Sequence, residues 1–182
     1  MTAPTLLGLA GSLRREASNR KLIRAAAHLF APSSFTEADL NLPLYDGDVE
    51  TAEGIPAAVR RLADQIAAAD AVVISTPEYN KGPSGVLKNA LDWVSRTDGA
   101  PWADKPVAVM SAAAGRAGGE RAQMVLRGFL TPFQPHLLTG PELHLADSRN
   151  QFDDEGRLIN DRTAATLEAL MQKLRALAER GA

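Results

Sequence analysis

The stretch Ala71-Val72-Val73-Ile74-Ser75, closed by Thr76 and Pro77, decides the fold of this chain. Its centre is β-branched and a proline follows, which is the pattern of a short strand that is buried on both faces. Two similar apolar runs occupy residues 5–10 and 106–110. Strands buried on both faces need helices above and below them, so the sequence predicts a parallel sheet in an α/β protein.

Segments with helical spacing of apolar residues separate these runs from one another. The spacing predicts helices over residues 22–30, 55–66, 87–94, 122–130 and 167–177. Weaker strands are predicted over residues 35–40 and 142–146, and a small hairpin or turn over 152–158. Five strand–helix units in 182 residues suit one doubly wound domain, residues 1–182, and are too few for an eight-unit barrel.

Composition excludes several functional classes. The net charge of -2 gives no basic field for nucleic acid, and the absence of cysteine (Cys 0) removes disulfides, thiolate metal sites and cysteine nucleophiles. His28, His136 and His144 lack the paired spacing of metal ligands, so we expect no metal. The apolar runs are too short to span a membrane, and Arg14 and Arg15 follow the first of them, whereas a secretory signal begins with its charge. We therefore expect a cytoplasmic protein that binds neither nucleic acid nor membrane.

Three loops follow the carboxyl ends of predicted strands, where doubly wound sheets bind their ligands. The first loop, residues 11–19, leads directly into a helix whose N-terminal N–H groups attract phosphate. Ser12, Ser18 and Asn19 can add neutral donors, and Arg14 can add a guanidinium fork. The alternative is a plain helix start with Ser18 or Asn19 as N-cap. Neither the Rossmann glycine pattern nor the P-loop pattern is present.

The other two loops could hold a flat ring. Residues 76–83 contain two prolines, Pro77 and Pro83, and Tyr79 could cover an aromatic ligand. Residues 111–119 consist mainly of alanine and glycine, which allows close approach. Taken alone, the two loops could equally be a rigid turn and a flexible connection.

Together these residues carry a family resemblance. Gly11-Ser12-Leu13-Arg14 with Asn19, then Thr76-Pro77-Glu78-Tyr79-Asn80, then Leu87-Lys88-Asn89-Ala90-Leu91-Asp92-Trp93 resemble the NAD(P)H-dependent FMN reductases, which include quinone, chromate and azo-dye reductases. The resemblance continues through Gly118-Gly119 to the turn near Gly156 and so spans nearly the whole chain. It implies a flavodoxin-like sheet of five parallel strands in the order 2-1-3-4-5, with helices on both faces.

The resemblance also implies a bound FMN, with NADPH or NADH as co-substrate. The implied contacts of the phosphate are Ser12, Arg14, Ser18 and Asn19. The implied contacts of the ring are Pro77, Glu78, Tyr79 and Asn80, with Ser111, Ala113 and Gly115 nearby. The flavin N5 would carry the hydride, so no catalytic side chain is expected. One departure is Ala17, which stands where relatives commonly have serine, with the serine displaced to Ser18.

The implied activity is transfer of hydride from NAD(P)H through FMN to small acceptors such as quinones or free flavin, by a homodimer or homotetramer. The alternative is a non-catalytic electron carrier of the flavodoxin type. Because flavodoxins usually have a strongly acidic surface, whereas this chain is close to neutral and has Arg14 in its phosphate loop, the enzyme is favoured.

Overall fold

The computed structural model describes residues 3–181, so the predicted domain limits, residues 1 and 182, lie outside the described part. The strands are β1 (Leu6–Ala10), β2 (Phe35–Glu37), β3 (Ala71–Thr76), β4 (Pro106–Ala112), β5 (His136–Leu137) and β6 (His144–Leu145). The helices are α1 (Ser18–Phe30), α2 (Gly47–Glu53), α3 (Ala57–Ala68), α4 (Gly85–Val94), α5 (Glu120–Leu130) and α6 (Asp161–Gly181). Short 3-10 turns cover Thr131–Phe133 and Ser148–Asn150.

The strands form one parallel sheet in the order β2-β1-β3-β4-β5, which confirms the predicted order 2-1-3-4-5. The fifth position differs from the prediction, because two short strands share it. β5 pairs with the start of β4, and β6 pairs with its end. The strand predicted over residues 142–146 is thus reduced to His144–Leu145. Pro141 lies between the two segments and has no N–H to give to a continuous ladder.

Helices cover both faces of the sheet, as predicted. Helices α1 and α6 pack on one face, where Val73 and Met110 belong to the core. Helices α3, α4 and α5 pack on the other face against Val72, Ile74 and Val109. Successive residues of β3 therefore point into different cores, as expected of a strand that is buried on both sides.

The short helix α2 was not predicted. It contains no buried residue, so it lacks the apolar period that marked the other helices. Its start is fixed by Asp46, whose carboxylate accepts a hydrogen bond from the N–H of Asp48. Among the described residues, no helix is long and apolar enough to cross a membrane, and no group of side chains is arranged to hold a metal ion.

Candidate functional site

A cavity of about 460 Å³ opens at the carboxyl edge of the sheet, where the three predicted loops meet. Its volume lies within the range of about 300–1,000 Å³ typical of small-molecule sites. The predicted site residues that line it are Ser12, Arg14, Ser18, Asn19, Pro77, Glu78, Tyr79, Ala113 and Gly115. Two predicted residues, Asn80 and Ser111, do not line it.

The first loop brings an uncapped helix N-terminus to the cavity. Helix α1 starts at Ser18, and its N-cap residue, Ala17, has no side chain that could accept a hydrogen bond. The alternative of a helix capped by Ser18 or Asn19 is therefore wrong. The first turn of α1 contains no acidic residue, so the partial positive charge of the helix end is not neutralised there. This corner of the cavity suits an anion.

Two side chains of the first loop, Ser18 and Asn19, have hydrogen-bond partners within the protein. The hydroxyl of Ser18 donates to the carbonyl of Ser148 at 3.1 Å. The amide oxygen of Asn19 accepts from Ser75 Oγ at 2.7 Å and from the N–H of Ala112 at 3.1 Å. The Asn19 amide nitrogen donates to the carbonyl of Ala112 at 3.0 Å. Asn19 thus ties the start of α1 to the ends of β3 and β4 and fixes the position of the helix N-terminus.

The second loop is a tight turn. Tyr79 and Gly82 exchange two backbone hydrogen bonds at 2.9 and 3.0 Å, and the residues between them, Asn80 and Lys81, have φ of 49° and 66°. Positive φ at both central positions is the geometry of a type I′ turn. Asn80 therefore lies at the tip of the turn and not on the cavity wall. Glu78 accepts a hydrogen bond from the N–H of Ala122 at 3.2 Å, which ties the turn to α5.

The third loop is closed at its base by a buried polar cluster. Ser111 is fully buried, and its hydroxyl donates to the carbonyl of Gly118 at 2.6 Å. Gln123 donates to the Ser111 hydroxyl at 2.9 Å and to the carbonyl of Leu143 at 2.6 Å. Ser111 is thus buried between the third loop and α5, and its hydrogen bonds hold the loop in place.

Two glycines let this loop pack closely. A Cβ on Gly118 would lie 2.6 Å from the carbonyl carbon of His144, and a Cβ on Gly119 would lie 2.7 Å from the Cβ of Ser111. Both glycines also have positive φ, 59° and 94°. Only glycine fits at these two positions, so the loop returns directly into α5 and leaves its small side chains on the cavity wall.

A fourth loop, after β6, lines the cavity and was missed from sequence. It contributes Ser148, Arg149 and Phe152. The rule that ligands bind at the carboxyl edge applies to the last strand as well, and this was the available signal. Phe152 starts the predicted turn, which is confirmed by its bridge to Leu158. Hydrogen bonds from Arg157 lower the pKa of Asp153 in this turn.

The donor set fits a phosphorylated planar molecule such as FMN. Arg14 and the uncapped end of α1 provide charge and N–H groups at one corner of the cavity. Another part of the wall is formed by Pro77, Tyr79 and the loop from Ala112 to Gly115, which would allow a flat ring to lie close to the backbone.

Comparisons with known proteins agree with this geometry. The family model described as NADPH-dependent FMN reductase matches residues 4–150. The chain belongs to this family. It is 44% identical over 174 residues to an NAD(P)H-dependent FMN reductase of Pseudomonas aeruginosa, covering 94% of this chain and 92% of the relative. It is 40% identical over 167 residues to a 2-hydroxy-1,4-benzoquinone reductase of Burkholderia, covering 90% of each chain.

The fold also matches a solved member of the same class. The flavoenzyme NAD(P)H:(acceptor) oxidoreductase of Paracoccus denitrificans superposes with a TM-score of 0.87 at 30% identity, covering 97% of this chain and 98% of the other. For this FMN reductase family member, the interpretation as an oxidoreductase is confirmed over that of a flavodoxin-type carrier. FMN and NAD(P)H are likewise confirmed as cofactor and co-substrate of the family to which the chain belongs.

Proposed function

We propose that this FMN reductase family member passes hydride from NAD(P)H through bound FMN to quinones, free flavin or similar flat acceptors. The observation that carries the proposal is the composition of the cavity. The same cavity combines a cationic corner at α1 with a wall of small residues and one exposed aromatic side chain, Tyr79. Two relatives, the 2-hydroxy-1,4-benzoquinone reductase of Burkholderia and the FMN reductase of Pseudomonas aeruginosa, support the same acceptor classes.

The protein's contribution would be to bind and orient. Arg14, Ser12 and the N–H groups at the start of α1 would hold the phosphate, while Ser18 and Asn19 keep that helix end in place through their own hydrogen bonds. Pro77, Glu78 and Tyr79 would support the ring, with Ala113 and Gly115 close to it. Asn80 and Ser111 would act from outside the cavity wall, by shaping the turn and supporting the third loop.

When bound, FMN supplies the hydride-accepting centre at N5, so the protein needs no acid, base or nucleophile of its own. Tyr79 is 59% exposed, and Ala114 and Gly115 are exposed as well. A single open surface of this kind can admit the nicotinamide ring first and the acceptor afterwards. Because the two substrates would use the same space in turn, we expect ping-pong kinetics.

Anaerobic stopped-flow mixing with NADPH and with NADH tests this function. The protein loaded with FMN should lose its flavin absorbance rapidly in one two-electron step, and added quinone should restore it. Initial rates against both substrates should give parallel double-reciprocal lines. Failure of both nicotinamides to bleach the flavin would instead favour the electron carrier.

We further propose that residues 1–182 act as one flavodoxin-like domain, in the cytoplasm, as a homodimer or homotetramer. Exposed apolar side chains support association, since Leu44 is 82% exposed and Met124 is 70% exposed. The cytoplasm is where the reduced nicotinamides are available. Light scattering after size-exclusion chromatography gives the oligomeric state, and a monomer at micromolar concentration would contradict this proposal.

A further inference from the structure

The turn after β6 places a second arginine beside the uncapped start of α1. Arg149 lines the same cavity as Ser12 and Arg14, although it comes from the opposite end of the sequence. The turn that carries it is tied to both neighbouring loops. The Ser148 carbonyl accepts from Ser18 Oγ at 3.1 Å, and the Ser148 N–H donates to the carbonyl of Ala113 at 3.2 Å.

The charge of Arg149 is uncompensated in the described part of the chain, where it forms no ion pair. The nearest acidic residue in sequence, Asp147, is engaged by the side-chain amide of Asn150 at 3.1 and 3.2 Å. The two carboxylates that line the cavity also have partners. Glu78 accepts from the N–H of Ala122, and Glu16 lies 4.0 Å from Lys21.

Residues 17 and 18, at the start of α1, offer no free hydroxyl to this corner. Ala17, at the N-cap of α1, has no hydroxyl, and the only neighbouring serine of the helix start, Ser18, directs its hydroxyl to Ser148. A phosphomonoester placed here would therefore find N–H groups, Ser12 and Arg14, and the turn after β6 lies next to the same helix start. A guanidinium from that turn can supply two donors to such a group.

We propose that Arg149 is a further phosphate ligand of the cofactor, so that Arg14 and Arg149 grip the FMN phosphate from two separate loops. The proposal rests on the proposed function, since it assumes FMN in this cavity. Arg149 would supply a phosphate contact near position 17, where Ala17 has no hydroxyl to donate. Riboflavin, which has the same ring and no phosphate, would not use this contact.

The test compares two flavins on the apoprotein. FMN and riboflavin are titrated by fluorescence quenching into the wild type, Arg149→Gln and the control Arg15→Gln, which alters an exposed arginine of the first loop outside the cavity lining. Loss of one charge-assisted contact should weaken FMN binding to Arg149→Gln by about tenfold or more. Riboflavin binding, and both affinities of Arg15→Gln, should remain within about twofold of the wild type.

Each other outcome overturns the proposal. Equal losses for FMN and riboflavin would mean that Arg149 acts on the shape of the cavity. Unchanged FMN affinity would remove the contact altogether. If FMN affinity is unchanged while the KM for NADPH rises relative to that for NADH, the charge serves the 2′-phosphate of the co-substrate instead. Failure of the wild type to bind FMN is a separate result, which would reject the proposed function itself.

Discussion

The side chain of Asn19 is joined to the backbone of Ala112 by two hydrogen bonds, one in each direction, at 3.1 and 3.0 Å. The pairing resembles one rung of a β-ladder, with an amide side chain in place of a strand. Because the carboxamide also accepts from Ser75, one residue links the start of α1 to two neighbouring strand ends. The start of α1 is therefore held in place by the protein's own hydrogen bonds, which would reduce the ordering cost of binding a ligand there.

We expect Asn19→Ala to destabilise the protein without cofactor. The substitution leaves the N–H and carbonyl of Ala112 and the hydroxyl of Ser75 without partners in a buried place. Each unsatisfied group costs about 1–3 kcal/mol, so the three together should lower the free energy of unfolding by at least about 3 kcal/mol. Urea denaturation of the apoprotein measures it. Ser18→Ala, one residue away and partly exposed, is the control and should lose about 1 kcal/mol or less. Equal losses would contradict a special role for Asn19.

Arg14→Ala should weaken FMN binding more than Ser18→Ala does. A charge-assisted hydrogen bond contributes about 1.5–3 kcal/mol, against about 1 kcal/mol for a neutral one. In addition, the Ser18 hydroxyl already donates its proton to Ser148. Flavin fluorescence quenching gives both dissociation constants, with Arg15→Ala as the matched charge control. The reverse order would place the phosphate elsewhere in the loop.

Gln123→Leu should weaken FMN binding although Gln123 does not line the cavity. The amide nitrogen joins Ser111 to Leu143, and the Ser111 hydroxyl in turn donates to Gly118 at the base of the third loop. Leucine cannot donate, so the loop should become less ordered and the unfolding free energy should fall by about 1–3 kcal/mol. FMN affinity and urea denaturation are measured together. Gln172→Leu, on the exposed side of α6, is the control and should change neither.

The sequence predicted the elements that are decided by burial. β3 was recognisable because its residues are buried on both faces and β-branched at the centre, and its neighbours then followed from the alternation with amphipathic helices. Helix α2 was not recognisable, since none of its residues is buried. The divided fifth strand was also missed, because its halves are two residues each and their pairing depends on β4.

At the site, residue types were predictable and side-chain directions were not. The loops that line the cavity follow from the carboxyl-edge rule, and most of the predicted residues lie on its wall. Whether the Ser111 side chain faces the cavity or helix α5 depends on the pleat of β4. The position of Asn80 depends on the type of turn that residues 79–82 form. Arg149 follows Ser148, which lies 130 residues from its hydrogen-bond partner Ser18, so only the folded chain brings Arg149 to the start of α1.

Lys81→Gly should stabilise the protein. Lys81 has a φ of 66° in the second central position of the type I′ turn, where glycine is preferred because a Cβ disfavours this conformation. Relief of this strain should raise the free energy of unfolding by about 1 kcal/mol. Lys81→Ala removes the charge and keeps the Cβ, so it should give no such gain in the same urea titration. An equal gain from alanine would mean that the charge, and not the backbone, is responsible.

Ala17→Ser should improve both the helix start and cofactor binding. Ala17 has the extended conformation of an N-cap residue, with φ of -70° and ψ of 135°, but it has no side-chain acceptor for the free N–H groups of α1. A serine cap adds about 1 kcal/mol of stability, which urea denaturation of the apoprotein measures. If the hydroxyl instead donates to the phosphate, FMN affinity should rise about fivefold while riboflavin affinity stays the same. A variant that gains neither stability nor FMN affinity would show that the nearly buried Ala17 has no room for the oxygen.

If Ala17→Ser raises FMN affinity, adding it to Arg149→Gln should recover part of the FMN affinity that Arg149→Gln loses, because both side chains would serve the same phosphate.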